Sequence, residues 1–192
     1  MKKPLAFLFF GLLSFFSIAQ TTGSFVLEPS QSNCEWTGSA AVGSYTLTGS
    51  VSVSSGSLTI DENTITACSL VFDLTTLAHE EKSLVDHLKS KDFFQVKKFP
   101  EATFTLSESA IISDGYVAVK GMLTIKGTSK EEQFDVTLTM DGERISCIFD
   151  CTVNRIDYGV NHNSPSLFDD LKDQAIADEF QFRGELSFVL AE

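Results

Sequence analysis

The sequence predicts an all-β fold: a single antiparallel closed barrel of about eight strands, with one or two short helices. Three observations predict it. Apolar residues recur at every second position through most of the chain after Phe25, the mark of strands with one buried face. Turn-forming groups such as Ser113-Asp114-Gly115 and Lys126-Gly127-Thr128 separate these runs, with no repeated βα rhythm. The last run, ending at Leu190, is long and strictly two-faced and carries no device that protects a sheet edge, which favours closure over an open sandwich.

The N-terminus reads as a processing signal. Met1-Lys2-Lys3 precedes an apolar run from Leu5 to Ile18, and Ser17-Ile18-Ala19 supplies the small residues a signal peptidase reads, so cleavage is expected between Ala19 and Gln20. A run of about 14 residues is short of the ~20 that span a bilayer, which argues against a membrane anchor. No Cys stands at the cleavage point to take a lipid. Residues 1–19 are therefore assigned to a secretory signal peptide and residues 20–192 to one β-barrel domain, periplasmic or secreted. The chain has 14 Lys and Arg against 26 Asp and Glu; Lys2 and Lys3 leave with the signal, so the mature balance is 12 against 26, a net of −14 with His neutral. That acidity argues against nucleic acid and against docking on anionic lipid heads, and no stable membrane insertion is expected.

Phe25 and Leu27 open the first strand, and Glu28-Pro29-Ser30 turns it. Cys34, Trp36 and Gly38 share one face of the next. Tyr45, Leu47, Gly49, Val51 and Val53 share a face of another, which Ser54-Ser55-Gly56 is read as ending in a turn. Leu58 and Ile60 lead to Asp61-Glu62-Asn63, and Cys68, Leu70, Phe72 and Leu74 line the following strand. Alternation breaks from Leu77 to Ser90, where Leu84, Val85 and Leu88 fall at helical spacing among charged residues and predict a helix of two or three turns. Strands resume with Phe104 and Leu106, then Val117, Val119, Gly121, Leu123 and Ile125, then Phe134, Val136, Leu138 and Met140. Ile145, Cys147, Phe149, Cys151 and Val153 form one more face. A loop from Asp157 to Pro165 leads to Ser166-Leu167-Phe168-Asp169, a capping-box-like start for a short helix through about Lys172. Phe180, Phe182, Gly184, Leu186, Phe188 and Leu190 line the last strand.

Four cysteines, Cys34, Cys68, Cys147 and Cys151, remain after processing, in a compartment where disulfides form. Cys147 and Cys151 are separated by roughly 13 Å along an extended strand, beyond the ~7 Å between Cα atoms that a disulfide tolerates. They do not pair with each other; each is left to pair with Cys34 or Cys68, or to remain a thiol. No CxxC occurs and only 3 His are present, so no metal site is expected.

The segment from His87 to Phe104 begins as a charged helix, passes Phe93-Phe94, and extends at Phe99-Pro100, where Pro100 biases its predecessor away from helical geometry. It reads as a lid that turns into a wall. Together with Leu70-Val71-Phe72-Asp73-Leu74, the runs His87-Leu88-Lys89-Ser90-Lys91-Asp92-Phe93-Phe94, Phe99-Pro100-Glu101-Ala102-Thr103-Phe104 and Gly121-Met122-Leu123-Thr124-Ile125-Lys126-Gly127-Thr128-Ser129-Lys130 make an ordered series. Asn154-Arg155-Ile156-Asp157-Tyr158-Gly159-Val160 follows, and then Ser166-Leu167-Phe168-Asp169-Asp170-Leu171 with Ala177-Asp178-Glu179-Phe180. From about Phe25 to Leu190 this series resembles the YceI-like family, secreted bacterial proteins of lipocalin-like barrel fold associated with polyisoprenoid binding. The chain departs from the family pattern between Gly43 and Gly49, where relatives often carry a His before a Gly, and its four cysteines lie outside that pattern.

The resemblance implies an elongated apolar tunnel, whereas a barrel of this size is also compatible with a filled core. The candidate ligand-binding wall is the inward set Phe72, Leu74, Phe104, Leu106, Val119, Leu123, Phe134, Val136, Phe149, Phe180 and Phe182, with Phe93, Phe94 and Phe99 closing the mouth. His87 and Lys89 to Lys91 read as a solvated helix face, and Arg155 with Asp157 as a structural ion pair. No GxSxG, HExxH or P-loop occurs, and His79, His87 and His162 are scattered, so no catalytic residue is assigned and no enzyme is expected. The expected function is binding, sequestration or transport of an amphiphilic lipid with a long apolar tail, of isoprenoid quinone or polyprenyl type, with no other cofactor. The alternative is a filled-core secreted module acting through its surface. Oligomeric state is left open.

Overall fold

The computed structural model describes residues 22–171 and 174–191. The signal assigned to residues 1–19 lies outside them, as does Lys172.

The strands are β1 (Gly23–Leu27), β2 (Asn33–Ser39), β3 (Thr46–Asp61), β4 (Thr64–Ala78), β5 (Glu101–Leu106), β6 (Ala110–Ile111), β7 (Tyr116–Ile125), β8 (Thr128–Asp141), β9 (Arg144–Asn154) and β10 (Glu179–Leu190), with one α-helix, α1 (Lys82–Lys89), between β4 and β5. All pairings are antiparallel. β1 and β2 are one stave interrupted by a 3-10 turn at Pro29–Gln31, for both pair with β3 on one side and β10 on the other. Pro29 has no N–H to give to a ladder, so the break falls there. The two-residue β6 extends the stave of β5 along β4. Counted as staves, the sheet is an eight-stranded barrel closed by the contacts of β10 with β1 and β2.

Burial follows the alternation. Val117, Val119, Leu123 and Ile125 are buried along β7, and Ile145, Cys147 and Val153 along β9. β3 runs unbroken for 16 residues, so Ser54-Ser55-Gly56 is not a turn. Register shifts between Val53 and Ser55, and this β-bulge inserts one extra residue. The inward set therefore changes from Val51 and Val53 to Leu58 and Ile60, a phase change that would otherwise send one half to solvent. The expected helix from Ser166 is also absent among the described residues: 165–167 and 169–170 form turns. The Ser166 hydroxyl donates to the Asp178 carboxylate instead of capping a helix. All four cysteines are free thiols.

Gly121 marks a close approach between β7 and β5. A Cβ there would lie 2.5 Å from the Phe104 ring and from the Thr105 carbonyl oxygen. The ring borders open space, but the Thr105 carbonyl belongs to the paired β5 backbone and cannot retreat without breaking the ladder. Gly121→Ala is therefore expected to cost about 1–3 kcal/mol, seen as a lower urea midpoint at unchanged slope.

The meander sorts its connections by end. Residues 40–45, 79–100, 126–127, 155–171 and 174–178 gather at one end, where Ala41 N–H donates to the Ala175 carbonyl at 2.9 Å and Lys126 Nζ to the Gly159 carbonyl at 2.9 Å. Short acidic turns at residues 62–63 and 142–143 close the other.

Candidate ligand-binding site

Beneath the long connections lies an apolar cavity of about 300 Å³. Phe72 and Leu74 of β4, Leu123 and Ile125 of β7, Val153 of β9, and Phe180 and Phe182 of β10 form its wall. Leu84, His87 and Leu88 of α1, with Phe93 and Phe94, roof it, and Tyr45 and residues 174–177 complete the rim. A second cavity of about 90 Å³ lies deeper, among Phe104, Val119, Phe134, Val136, Phe149 and three of the cysteines, Cys68, Cys147 and Cys151. Phe72, Leu123, Val153 and Phe182 line both spaces. The Phe72 and Phe182 rings meet edge to face with centroids 5.2 Å apart, and Phe149 lies 5.3 Å from Phe182. Three aromatic rings thus partition an otherwise continuous apolar shaft.

The interior is hollow, then, and most of the residues grouped by the sequence surround it. Phe72, Leu74, Phe93, Phe94, Leu123, Phe180 and Phe182 line the upper chamber. Phe104, Val119, Phe134, Val136 and Phe149 line only the lower one. Phe99 and Leu106 line neither. Phe99 packs on the β7–β8 turn, where a Cβ on Gly127 would lie 2.6 Å from its ring, and Lys98 Nζ sits 4.8 Å above it. Leu106 ends β5 opposite Gly121 and packs against the core from there.

Sequence reasoning missed Trp36, which lines the mouth. It sits directly across from Gly49 in the β2–β3 pair, and a Cβ on Gly49 would fall 2.3 Å from the indole. The signal was a glycine inside an alternating strand opposite an aromatic residue. The thiols add no chemistry. Burial pushes Cys34, Cys68 and Cys151 up to about 12 and Cys147 higher still, so all stay protonated and weakly nucleophilic.

The mouth is held by Arg155, only 3% exposed. Its guanidinium donates from Nε to the Ala177 carbonyl at 2.9 Å, from Nη1 to the Val160 carbonyl at 2.6 Å and from Nη2 to the Ile176 carbonyl at 2.8 Å. Its carboxylate partner is Asp178 at 3.5 Å. The pairing with Asp157 read from sequence is corrected: the 3-10 turn at Arg155–Tyr158 turns Asp157 to solvent, while residues 176–178 fold back over the guanidinium. Tyr158, fully buried, donates to Glu132 at 2.7 Å and ties the same turn to β8.

His87 of α1 and His162 of the β9–β10 connection meet above the chamber with ring centroids 4.6 Å apart, and Phe93 lies 5.8 Å from His87. Burial lowers the His162 pKa, the neighbouring His87 and Arg155 lower it further, and Asp92 opposes them. A folded value below the ordinary ~6.5 means that the opened form takes the proton first. Stability of this contact is thus present above that value and lost as pH falls through the window beneath it. Between about pH 7 and pH 5, amide exchange in residues 87–94 is expected to quicken, and His162→Gln to flatten the pH dependence.

Fold and site together define a class: a closed, lipocalin-like antiparallel barrel with an apolar chamber roofed by a helix. The chain belongs to the YceI-like family, whose domain matches residues 25–188. It is 40% identical over 88 residues to UPF0312 proteins of Staphylococcus aureus strains MSSA476 and MW2, a match covering 41% of this chain and 47% of each relative. The chain thus spans about half the length of the curated relatives it matches. Among solved structures, BcnA of Burkholderia cenocepacia superposes with a TM-score of 0.69 at 21% identity, covering 84% of this chain and 98% of that one. A polyisoprenoid binding domain from Saccharophagus degradans, implicated in plant cell wall breakdown, gives 0.65 at 15% identity, covering 89% and 100%. The Campylobacter jejuni YCEI protein gives 0.60 at 19%, covering 81% and 85%. These likenesses establish a shared fold.

Proposed function

We propose that the protein binds an amphiphilic lipid by drawing its apolar tail into the upper chamber, and that it works as a carrier or sequestering protein outside the cytoplasm after loss of residues 1–19. The observation that carries the reading is the cavity itself, about 300 Å³ walled by aromatic and aliphatic side chains. That volume sits at the lower end of the ~300–1,000 Å³ usual for small-molecule sites. Transfer of a hydrocarbon tail from water supplies roughly 25 cal/mol per Å² before ordering costs, so affinity needs no polar motif. An isoprenoid quinone or polyprenyl compound suits a long shaft with ring-lined walls, and the polyisoprenoid binding domain of Saccharophagus degradans with the same fold supports that choice. The lower chamber extends the site when the Phe72 and Phe182 rings part. The protein acts in this reading by binding, with no chemical step.

The test is extraction of protein purified from its own compartment into organic solvent, followed by mass spectrometry. A stoichiometric isoprenoid lipid is expected. A clean extract, with no uptake of added quinones or polyprenols, overturns the reading.

A further inference from the structure

We infer that the lid end of the barrel docks on an anionic bilayer surface, which would set the mouth of the chamber against the source of its cargo. This rests on the carrier reading. The net charge of −14 for residues 20–192 concerns the whole molecule, whereas attraction to a surface is decided within a Debye length, ~10 Å at 0.1 M salt. On the outer side of the lid, a groove gathers Lys89, Lys91, Lys97 and Lys98 around Asp86, with the exposed Asp92 beside Lys91, so the groove itself keeps a net positive charge. Among the described residues none of those four lysines has a carboxylate within ion-pair distance, whereas Lys120, Arg144, Arg155 and Arg183 are each paired with one. Lys91, Lys97 and Lys98 are exposed, and Lys89 donates to the Thr75 carbonyl at 2.7 Å. Four cations without a carboxylate partner are therefore gathered in this one groove, and the acids Glu80, Glu81, Asp169 and Asp170 lie outside it at the same end of the barrel.

A second, independent feature lies at the same end. Val42 and Tyr45 of the β2–β3 connection and Leu167 and Phe168 of the β9–β10 connection are exposed apolar side chains. Lysines and exposed apolar side chains at one end of a fold are the combination that lies at a bilayer interface, the ammonium groups among anionic headgroups and the rings at the acyl boundary. The opposite end also exposes Ile111 and Tyr116, but Asp61 and Asp141 at its strand ends and Glu62 and Glu143 in its turns are repelled by the same surface. An acidic protein would satisfy the lysines but leaves the exposed apolar side chains at this end without a role. A bilayer satisfies both and supplies a lipid.

The test is co-sedimentation of the exported, processed protein with vesicles of phosphatidylcholine alone or mixed with phosphatidylglycerol. Binding is expected only to the mixed vesicles and is expected to weaken at high salt. Each lysine near an anionic surface is worth about fivefold in partitioning, so the triple variant Lys91→Gln, Lys97→Gln, Lys98→Gln is expected to lose at least about tenfold. The triple variant Lys120→Gln, Arg144→Gln, Arg183→Gln has the same net charge and is expected to bind as the parent does. Equal binding to both vesicles, no binding to either, or equal loss in the two triple variants overturns the inference. Trp36 emission on titration with an isoprenoid alcohol, measured on the same samples, keeps the two readings apart. Uptake without vesicle binding removes docking alone. Vesicle binding that follows the lysines without uptake upholds docking and removes the carrier reading.

Discussion

Replacing Phe182 with Ala should join the two chambers and shift the barrel toward longer tails. Phe182 contributes wall to both cavities, and its ring stands 5.2 Å from Phe72 and 5.3 Å from Phe149. Its removal takes away the centre of the partition and leaves the other two rings without their shared neighbour. Truncating a packed phenylalanine costs ~3–5 kcal/mol, and a half-buried ring with space above and below it belongs at the lower end. Against that loss, each methylene of a longer tail newly buried in the lower chamber adds about 0.8 kcal/mol. Affinities across a ladder of prenols of increasing length check the expectation: the parent should level off first, and Phe182→Ala should continue to gain. Phe182→Leu keeps most of the wall and should fall between them. An unchanged preference for length in both variants would show that the lower cavity is never part of the site.

Arg155→Met should be the most damaging single change outside the apolar core. The guanidinium satisfies three carbonyls, those of Val160, Ile176 and Ala177, and neutralises Asp178, all in a setting where it is 3% exposed. A thioether of similar length fills the space but leaves those acceptors without a donor and the Asp178 carboxylate without its countercharge, and breaking a buried pair this way costs about 3–5 kcal/mol. Arg155→Lys should rescue little, since one ammonium does not reproduce a planar fork aimed at three carbonyls. Urea unfolding measures the loss. The acid response gives a second readout. Burial alone would raise the Asp178 carboxyl, but the nearby Ser164 hydroxyl, the hydrogen bond from Ser166 and the charge of Arg155 outweigh it and hold the group below its ordinary value. A depressed carboxyl contributes stability above its unfolded value that is lost as pH falls through the folded one. Arg155→Met should therefore lose less on acidification than the parent does.

The barrel was legible because period-two alternation is enforced by burial: Val117 to Ile125 and Ile145 to Val153 read the same in sequence and structure. What failed were places where the chain changes phase or trades local for distant partners. Ser54-Ser55-Gly56 has turn composition, yet pairing with β4 on both sides of it keeps β3 continuous through a bulge. Ser166-Leu167-Phe168-Asp169 has capping composition, but its serine is used by Asp178, twelve residues on. Alternation also places side chains on the inside without saying how deep they sit. Phe104, Phe134 and Phe149 share the alternation of Phe180 for that reason, although an aromatic partition separates them. Nearness in sequence to Phe93 and Phe94 points to a lid role for Phe99, whereas Gly127, distant in sequence, is what receives its ring.

Trp36 allows the central claim to be tested directly. It is the only tryptophan in the chain, and it lines the mouth of the upper chamber. Titration with a single isoprenoid alcohol should produce a saturable change in its emission that ends at one equivalent, and Phe182→Ala should alter the length dependence of that change. Emission that stays constant while the lipid associates, or that drifts without saturation, would contradict a tail seated in the barrel.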